Sequence, residues 1–302
     1  MSKELGLIDY LLLSLPPLLW STMIVVGVMV VGEIPPAALT FWTWLAAVIA
    51  LVPFAVRDVF SNWKTIRREF GILVLYAVLG VAAFQGLYYA GLERTTGIDA
   101  ALMGPVLPLL VACVAWPVLN ERLTPVQILG VAIAFGGALW ISVGGDWRAL
   151  AAFALGPGEL LIVAAFVCMA FYTIMLRKTP SALTPITFMA VIATLGCVVT
   201  IPFFLWEAAV GSHALIPWKQ TAAILYIGVV TYDLGYVFWN ISVKRAGAGT
   251  AALFIYLMPV FGIVLAMTFL RESVAFYHGV GVTLIFAGIY LTLHRQTVPL
   301  ID

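Results

Sequence analysis

ALMGPVLPLLVACVAWPVLNERLTPVQILGVAIAFGGALWIS, residues 101–142, decides the fold, because it returns in altered form further along the chain. Its partner is GTAALFIYLMPVFGIVLAMTFLRESVAFYHGVGVTLIFAGIYLTL, residues 249–293. A shift of 151 residues, with no gap, places Arg94 on Arg245, Ala100-Ala101-Leu102 on Ala251-Ala252-Leu253, and Pro108 on Pro259. It also pairs Ala115 with Ala266, Leu119 with Leu270 and Glu121 with Glu272. Gly130-Val131, Phe135 and Gly137 fall on Gly281-Val282, Phe286 and Gly288. Apolar composition alone does not align an Arg, a Pro, a Glu and two Gly together. The same shift puts Trp20-Ser21-Thr22 on Phe171-Tyr172-Thr173. Pro36 and Pro53 meet Pro185 and Pro202 at a shift of 149, so a two-residue change lies between.

Outward from these repeats the chain is apolar throughout. Of its 302 residues, 64% are hydrophobic and 10% charged, with a net charge of +1. A soluble domain carries about a quarter charged residues, so a soluble particle is excluded. Disorder needs low hydrophobicity and high charge. A nucleic-acid partner needs a basic stripe that is absent here. A membrane-crossing helix takes about 20 apolar residues. On that scale ten spans are expected, near 9–32, 36–56, 70–92, 98–119, 125–144, 158–177, 184–206, 219–241, 248–270 and 275–293. The first is too long for a secretory leader and has an internal counterpart, so it reads as retained. The fold class expected is an all-α membrane protein of two five-helix repeats, 1–150 and 151–302.

Loop charges orient it. Lys3, Arg57, Lys64, Arg67, Arg68, Arg122, Arg177, Lys178, Lys244, Arg245 and Arg295 fall on one side, and Arg94, Arg148, Lys219 and Arg271 on the other. By the positive-inside rule both termini are cytoplasmic. Five spans per repeat is odd, so the second copy enters the membrane inverted. Inverted repeats belong to secondary transporters that hold substrate near the midplane between the halves. The connections, near 57–69 and 145–157, leave no room for a nucleotide-binding domain.

The two quoted stretches resemble the second half of an EamA-type repeat: a small-residue helix start, a mid-span Pro, a Glu at the turn, then a Gly-rich span. Two such repeats resemble the drug/metabolite transporter superfamily, and within it the bacterial amino-acid exporters, the aromatic ones above all. The resemblance implies a ten-helix inner-membrane carrier, alternating access and export of aromatic or hydrophobic neutral amino acids. Other small amphipathic metabolites or drugs, and a non-transporting scaffold, are the rivals.

Candidate transport residues follow from what is costly in lipid. Asp233 is the only ionisable residue well inside a span, and such a group is expensive there; its counterpart is Ala82. It reads as a partner for a substrate amine, as a proton carrier, or as a structural acid. On its helix Tyr232, Tyr236, Trp239 and Asn240 share broadly one face. Gln85, Tyr88 and Tyr89 match Tyr236, Trp239 and Asn240. These are cavity candidates, with an interfacial aromatic belt the rival for Tyr88, Tyr89 and Trp239. Trp20 and Ser21, deep in the first span, and Tyr172 in the sixth are further lining candidates. Trp42 and Trp44 read as surface anchors. Pro105, Pro108 and Pro259 free carbonyls four residues earlier and are candidate hinges, with Met103 and Tyr256 beside them as contacts. Glu121 and Glu272 read as charges at the following helix start. Gly130, Gly137, Gly281 and Gly288 permit close helix contact, within the chain or in an oligomer. Cys113, Cys168 and Cys197 lie in apolar runs and read as buried small residues. No metal, cofactor or enzymatic chemistry is expected, since no cluster of ionisable residues lies at membrane depth.

Overall fold

The computed structural model describes residues 5–27, 30–120, 123–179, 181–210, 218–271 and 273–294. Among them the secondary structure is helical apart from one isolated bridge, Val31 to Ile34. Helix α1 covers Leu7–Ser21 and resumes as Met23–Val26. Then come α2 (Pro36–Ser61), α3 (Phe70–Leu92), α4 (Gly97–Met103 and Val106–Leu119) and α5 (Pro125–Ser142). The second half holds α6 (Pro157–Lys178), α7 (Pro185–Ala209), α8 (Trp218–Ala246), α9 (Ala248–Phe269) and α10 (Phe276–His294).

Nine of these, α2 to α10, are long and apolar enough to cross a membrane. Helix α1 is the exception. Its first segment has 15 residues, fewer than a membrane crossing takes, and residues 28–29 of the expected 9–32 span lie outside the described residues. It breaks at Thr22, whose hydroxyl donates to the Leu19 carbonyl instead of leaving the helix ladder undisturbed. A second correction concerns 57–69, expected as a connection. Helix α2 runs on to Ser61 and Trp63–Arg68 is helical too.

Packing pairs each helix with one from the other half. Helix α5 lies against α10, α2 against α7, α3 against α6, and α1 against α8. Since α1 and α6 are repeat counterparts, as are α3 and α8, the last two pairings are images of each other. The pairs run antiparallel. Glycines set the α5–α10 spacing: a Cβ on Gly130 would strike the Gly288 carbonyl at 2.7 Å, and one on Gly137 the Gly281 carbonyl at 2.8 Å. The expected choice between internal packing and an oligomer is thereby decided for these glycines. They are spent on each other inside one chain.

The α2–α7 pair is tied twice. Glu207 accepts from the backbone amide of Ala38 at 2.7 Å, at the start of α2. Its counterpart Asp58 accepts from the hydroxyl of Thr187, at the start of α7, at 3.4 Å. Each carboxylate sits at the positive end of the opposite helix, where a negative charge is stabilised. Two proline-freed carbonyls are met by serines. Pro16 releases the Leu12 carbonyl, which accepts from Ser242 at 2.9 Å; Pro105 releases that of Ala101, which accepts from Ser142 at 3.1 Å. In lipid, where water cannot serve, such groups need a partner inside the protein.

Tryptophans divide between rim and core. Trp63, Trp116, Trp147, Trp206 and Trp218 are exposed. Trp44 is fully buried and stacks on Tyr232, so reading it as an anchor is corrected. Cys197 is buried as expected, whereas Cys113 is exposed on the outer surface.

Candidate functional site: two cavities related by the repeat

Helices α4 and α9 are both interrupted, at the same place. Helix α4 turns at Gly104–Pro105. In α9 the positions related by the 151-residue shift form a tight 3-10 turn, Ile255–Leu257, before the α-helix restarts at Met258. Pro108 and Pro259 stand in the first turns of the restarted halves. A Pro there loses no helical hydrogen bond that the restart would have made. The three proposed hinge prolines thus all lie at or just after a break.

A cavity lies on each side of these breaks. The larger, about 760 Å³, is bounded by the α4 start, the α5 end, the second half of α9 and the α10 start. The smaller, about 160 Å³, is bounded by the second half of α4, the α5 start, the α9 start and the α10 end. The linings exchange under the repeat. Pro108, Ala112, Leu123 and Gln127 line the smaller cavity; their counterparts Pro259, Ile263, Val274 and His278 line the larger. Conversely Ile141 and Ser142 line the larger, and their counterparts Thr292 and Leu293 the smaller. One further match shows how deep the likeness goes. Gln127 accepts from the amide of Thr124 at 2.9 Å, and His278 Nδ1 accepts from the amide of Ala275 at 2.9 Å. Both side chains cap the first turn of their helix by reaching back three residues.

Both walls are mainly apolar, and among the described residues no Asp, Glu, Lys or Arg lines either cavity. Of the residues nominated from sequence, Tyr88, Pro105, Pro259 and Tyr256 line the larger cavity. Pro108 and Tyr256 line the smaller. Met103 is buried at the end of its half-helix and lines neither.

The other nominated residues meet in a packed aromatic core. Trp20 lies with ring centroids 6.0 Å from Tyr236 and 5.3 Å from Trp239. Its indole donates to the Thr231 carbonyl at 3.2 Å. Tyr236 donates to the Gly80 carbonyl at 2.7 Å, with Gln85 against the same hydroxyl. Gly80 and Thr231 are repeat counterparts, and each sits in a π-helical stretch: Val78–Ala83 in α3, Ile227–Leu234 in α8. A π turn disturbs the i to i−4 ladder, and such turns recur at functional sites. Here each repeat offers the same carbonyl and an aromatic donor takes it. Tyr172 donates to Asn240 Oδ1 at 2.7 Å, Trp239 to Thr173 at 3.3 Å, and the Tyr89 and Tyr232 hydroxyls bond each other. The aromatic-belt reading of Tyr89 and Trp239 is corrected: both are buried, at 2% and 1% exposure. Ser21 joins this core to α9, donating to the Met258 carbonyl at 3.0 Å.

Asp233 lies in the α8 π stretch, 4% exposed, and its Oδ1 has no hydrogen-bond partner among the described residues. No ion pair to it is found among them. Glu121 and Glu272 lie outside the described residues. Sequence reading overlooked Ser142, Gln127, Thr292 and His278. The 151-residue shift carried the signal, since each stands opposite another lining residue.

The two halves find their match among known proteins. The profile of the EamA-like transporter family matches twice, over residues 7–143 and 156–294. The chain belongs to that family and is a multi-pass transporter of the plasma membrane. It is 26% identical over 260 residues to an uncharacterized transporter, YyaM, of Bacillus subtilis, covering 86% of this chain and 85% of the relative. It is 27% identical to the "Probable terminal-alkyne amino-acid exporter" of Streptantibioticus cattleyicolor, over 84% of this chain and 80% of that one. A solved crystal structure superposes with a TM-score of 0.77 at 18% identity, over 96% of this chain and 99% of its own, and speaks to the fold alone.

Proposed function

We propose that this chain is a secondary carrier exporting neutral amino acids with aromatic or hydrophobic side chains by alternating access. The observation that carries it is the exchange of cavity linings between the repeats. Two halves, 1–150 and 151–302, inverted in the membrane with both termini cytoplasmic, give one cavity to each face. Interconverting the halves then exchanges a large cavity for a small one, which is what alternating access requires. In the orientation set by the Lys and Arg loops, the 760 Å³ cavity faces away from the cytoplasm.

The substrate class follows from the walls. Mainly apolar linings with Tyr, Ser and His, and no charged side chain among the described residues, suit a solute with an apolar body and no net charge. Anions such as phosphates find no Lys or Arg among the described residues of the linings. The relative named a probable terminal-alkyne amino-acid exporter supports export and an amino-acid substrate. In this reading Trp20, Ser21, Gln85, Tyr88, Met103, Tyr172, Tyr236, Trp239 and Tyr256 form the substrate path and the core that shapes it. Asp233 carries coupling or meets the substrate amine.

The test is purified protein in liposomes against a panel of amino acids, with and without a pH gradient. Saturable flux of phenylalanine, tryptophan and leucine is expected, with none of aspartate or lysine. Absence of flux for every amino acid removes the substrate class and leaves other amphipathic solutes or a scaffold. Flux indifferent to the gradient removes proton coupling.

A further inference from the structure

We propose that Tyr256 is the septum between the two cavities and that its hydroxyl reads the transported solute; the second half of this statement rests on the amino-acid reading above. Among the described residues Tyr256 is the one common to both linings. Its side chain is 1% exposed, and its hydroxyl has no hydrogen-bond partner among the described residues. A buried hydroxyl left unpaired is costly, and in a lipid-enclosed core no bulk water relieves it. Each other nominated tyrosine of the buried core, Tyr172 and Tyr236, has its hydroxyl satisfied. Among the described residues Trp44, Thr231, Asp233 and Asn240 also carry an unpaired polar atom, but none of them lines either cavity, and Tyr256 lines both.

The backbone makes it a moving part. Tyr256 is the middle residue of the 3-10 turn between the two α-helical halves of α9. A change of angle between those halves swings its ring. Its counterpart is Pro105, with neither a hydroxyl nor a ring of that size, so the septum comes from one repeat while both repeats build the rims. The hydroxyl is closed off in this conformation, so a solute entering the larger cavity meets it as the ring swings. A hydrogen-bond acceptor on the solute, for an amino acid its carboxylate, satisfies the group left unpaired here. The solute thereby gains a bond at the one point where the ring must yield for it to pass.

Two substitutions in proteoliposomes test this. Tyr256→Phe keeps the ring and removes the hydroxyl: KM for phenylalanine is expected to rise about ten-fold with kcat little changed. Tyr256→Gly removes the septum: a non-saturable leak of glycerol is expected, absent from the unsubstituted protein and from Y256F. Unchanged KM in Y256F overturns the reading of the solute. A Y256G protein that elutes as the parent does in detergent yet leaks no glycerol overturns the septum. If the unsubstituted protein moves no amino acid, the proposed substrate class falls, and the glycerol leak still decides the septum.

Discussion

The two cavities are built from matching positions and differ almost five-fold in size, about 760 against 160 Å³. Matching sequence therefore does not impose matching conformation. The difference is concentrated at two places. At the α4 and α9 breaks, Gly104-Pro105 faces a turn bearing Tyr256. At the rims, Arg245 pairs with Asp9 at 2.7 Å, at the α9 start beside the smaller cavity. Its counterpart Arg94, beside the larger, donates to the Ala90 carbonyl at 2.9 Å instead, while Thr95 donates to Glu159 there. An ionic tie from α1 thus holds the narrow end, and a neutral hydroxyl donor serves the wide one.

The comparison breaks altogether if the seam shared by both halves is forced open. A Cβ on Gly288 would overlap the backbone amide of Ala134 at 2.5 Å. Backbone cannot move aside as a flexible side chain does. Gly288→Leu is expected to cost about 3 kcal/mol or more and to abolish the folded, monodisperse protein on gel filtration. Recovery of normal yield and melting temperature would show that the α5–α10 seam is not needed for assembly.

A smaller effect, on transport alone, is expected at Asp233, the charge that one repeat has and the other lacks. Leaving a carboxylate without a partner in the core is tolerated only if it is neutral or awaits a cation. Asp233→Asn keeps the shape and removes the proton site. Flux is expected to fall about ten-fold, equivalent to about 1.4 kcal/mol, and to lose its response to a pH gradient, with thermal stability unchanged. Normal flux with the parent's pH response would assign Asp233 to structure.

The rim tie comes next. Arg245 is 42% exposed, which limits the pair's worth to about 1 kcal/mol. Asp9→Asn should shift the balance of the two cavities by about five-fold toward a wider small one. The readout is the labelling rate of Ala112→Cys, a lining residue of that cavity, in a chain freed of its native cysteines. An unchanged rate would detach the ion pair from the difference in cavity size.

Much of this was legible in the sequence and some was hidden for physical reasons. The 151-residue shift exposed the repeat, the prolines pointed to the neighbourhood of the α4 and α9 breaks, and the glycines announced a close contact without naming its partner. What it could not give was facing. A span that is apolar all round has no stripe to point inward, so Trp44 read as an anchor while it is core. Trp239 and Tyr89 sit near span ends and still turn inward. Helix α1 read as one unbroken span because hydropathy does not register the interruption at Thr22, after which the helix resumes. Ser142 and His278 escaped notice because rim positions resemble ordinary loop ends until the partner repeat is folded against them.

The smallest effect concerns a strain the repeats share. Among the described residues, two other than glycine have positive φ, Asn120 at 55° and Arg271 at 57°, and they are counterparts at the ends of α4 and α9. Asn tolerates the left-handed region, since its short side chain bonds locally; an ordinary side chain pays about 1 kcal/mol there. The first repeat carries the residue suited to the turn and the second does not. Arg271→Asn makes the two ends alike and is expected to stabilise the protein by about 0.5 kcal/mol, a rise of roughly one or two degrees in Tm. The reverse change, Asn120→Arg, should lower Tm by a similar amount. Equal and opposite shifts would show that the helix end is one device used twice. A neutral Arg271→Asn beside a destabilising Asn120→Arg would show that the second end has relaxed its demand on the backbone.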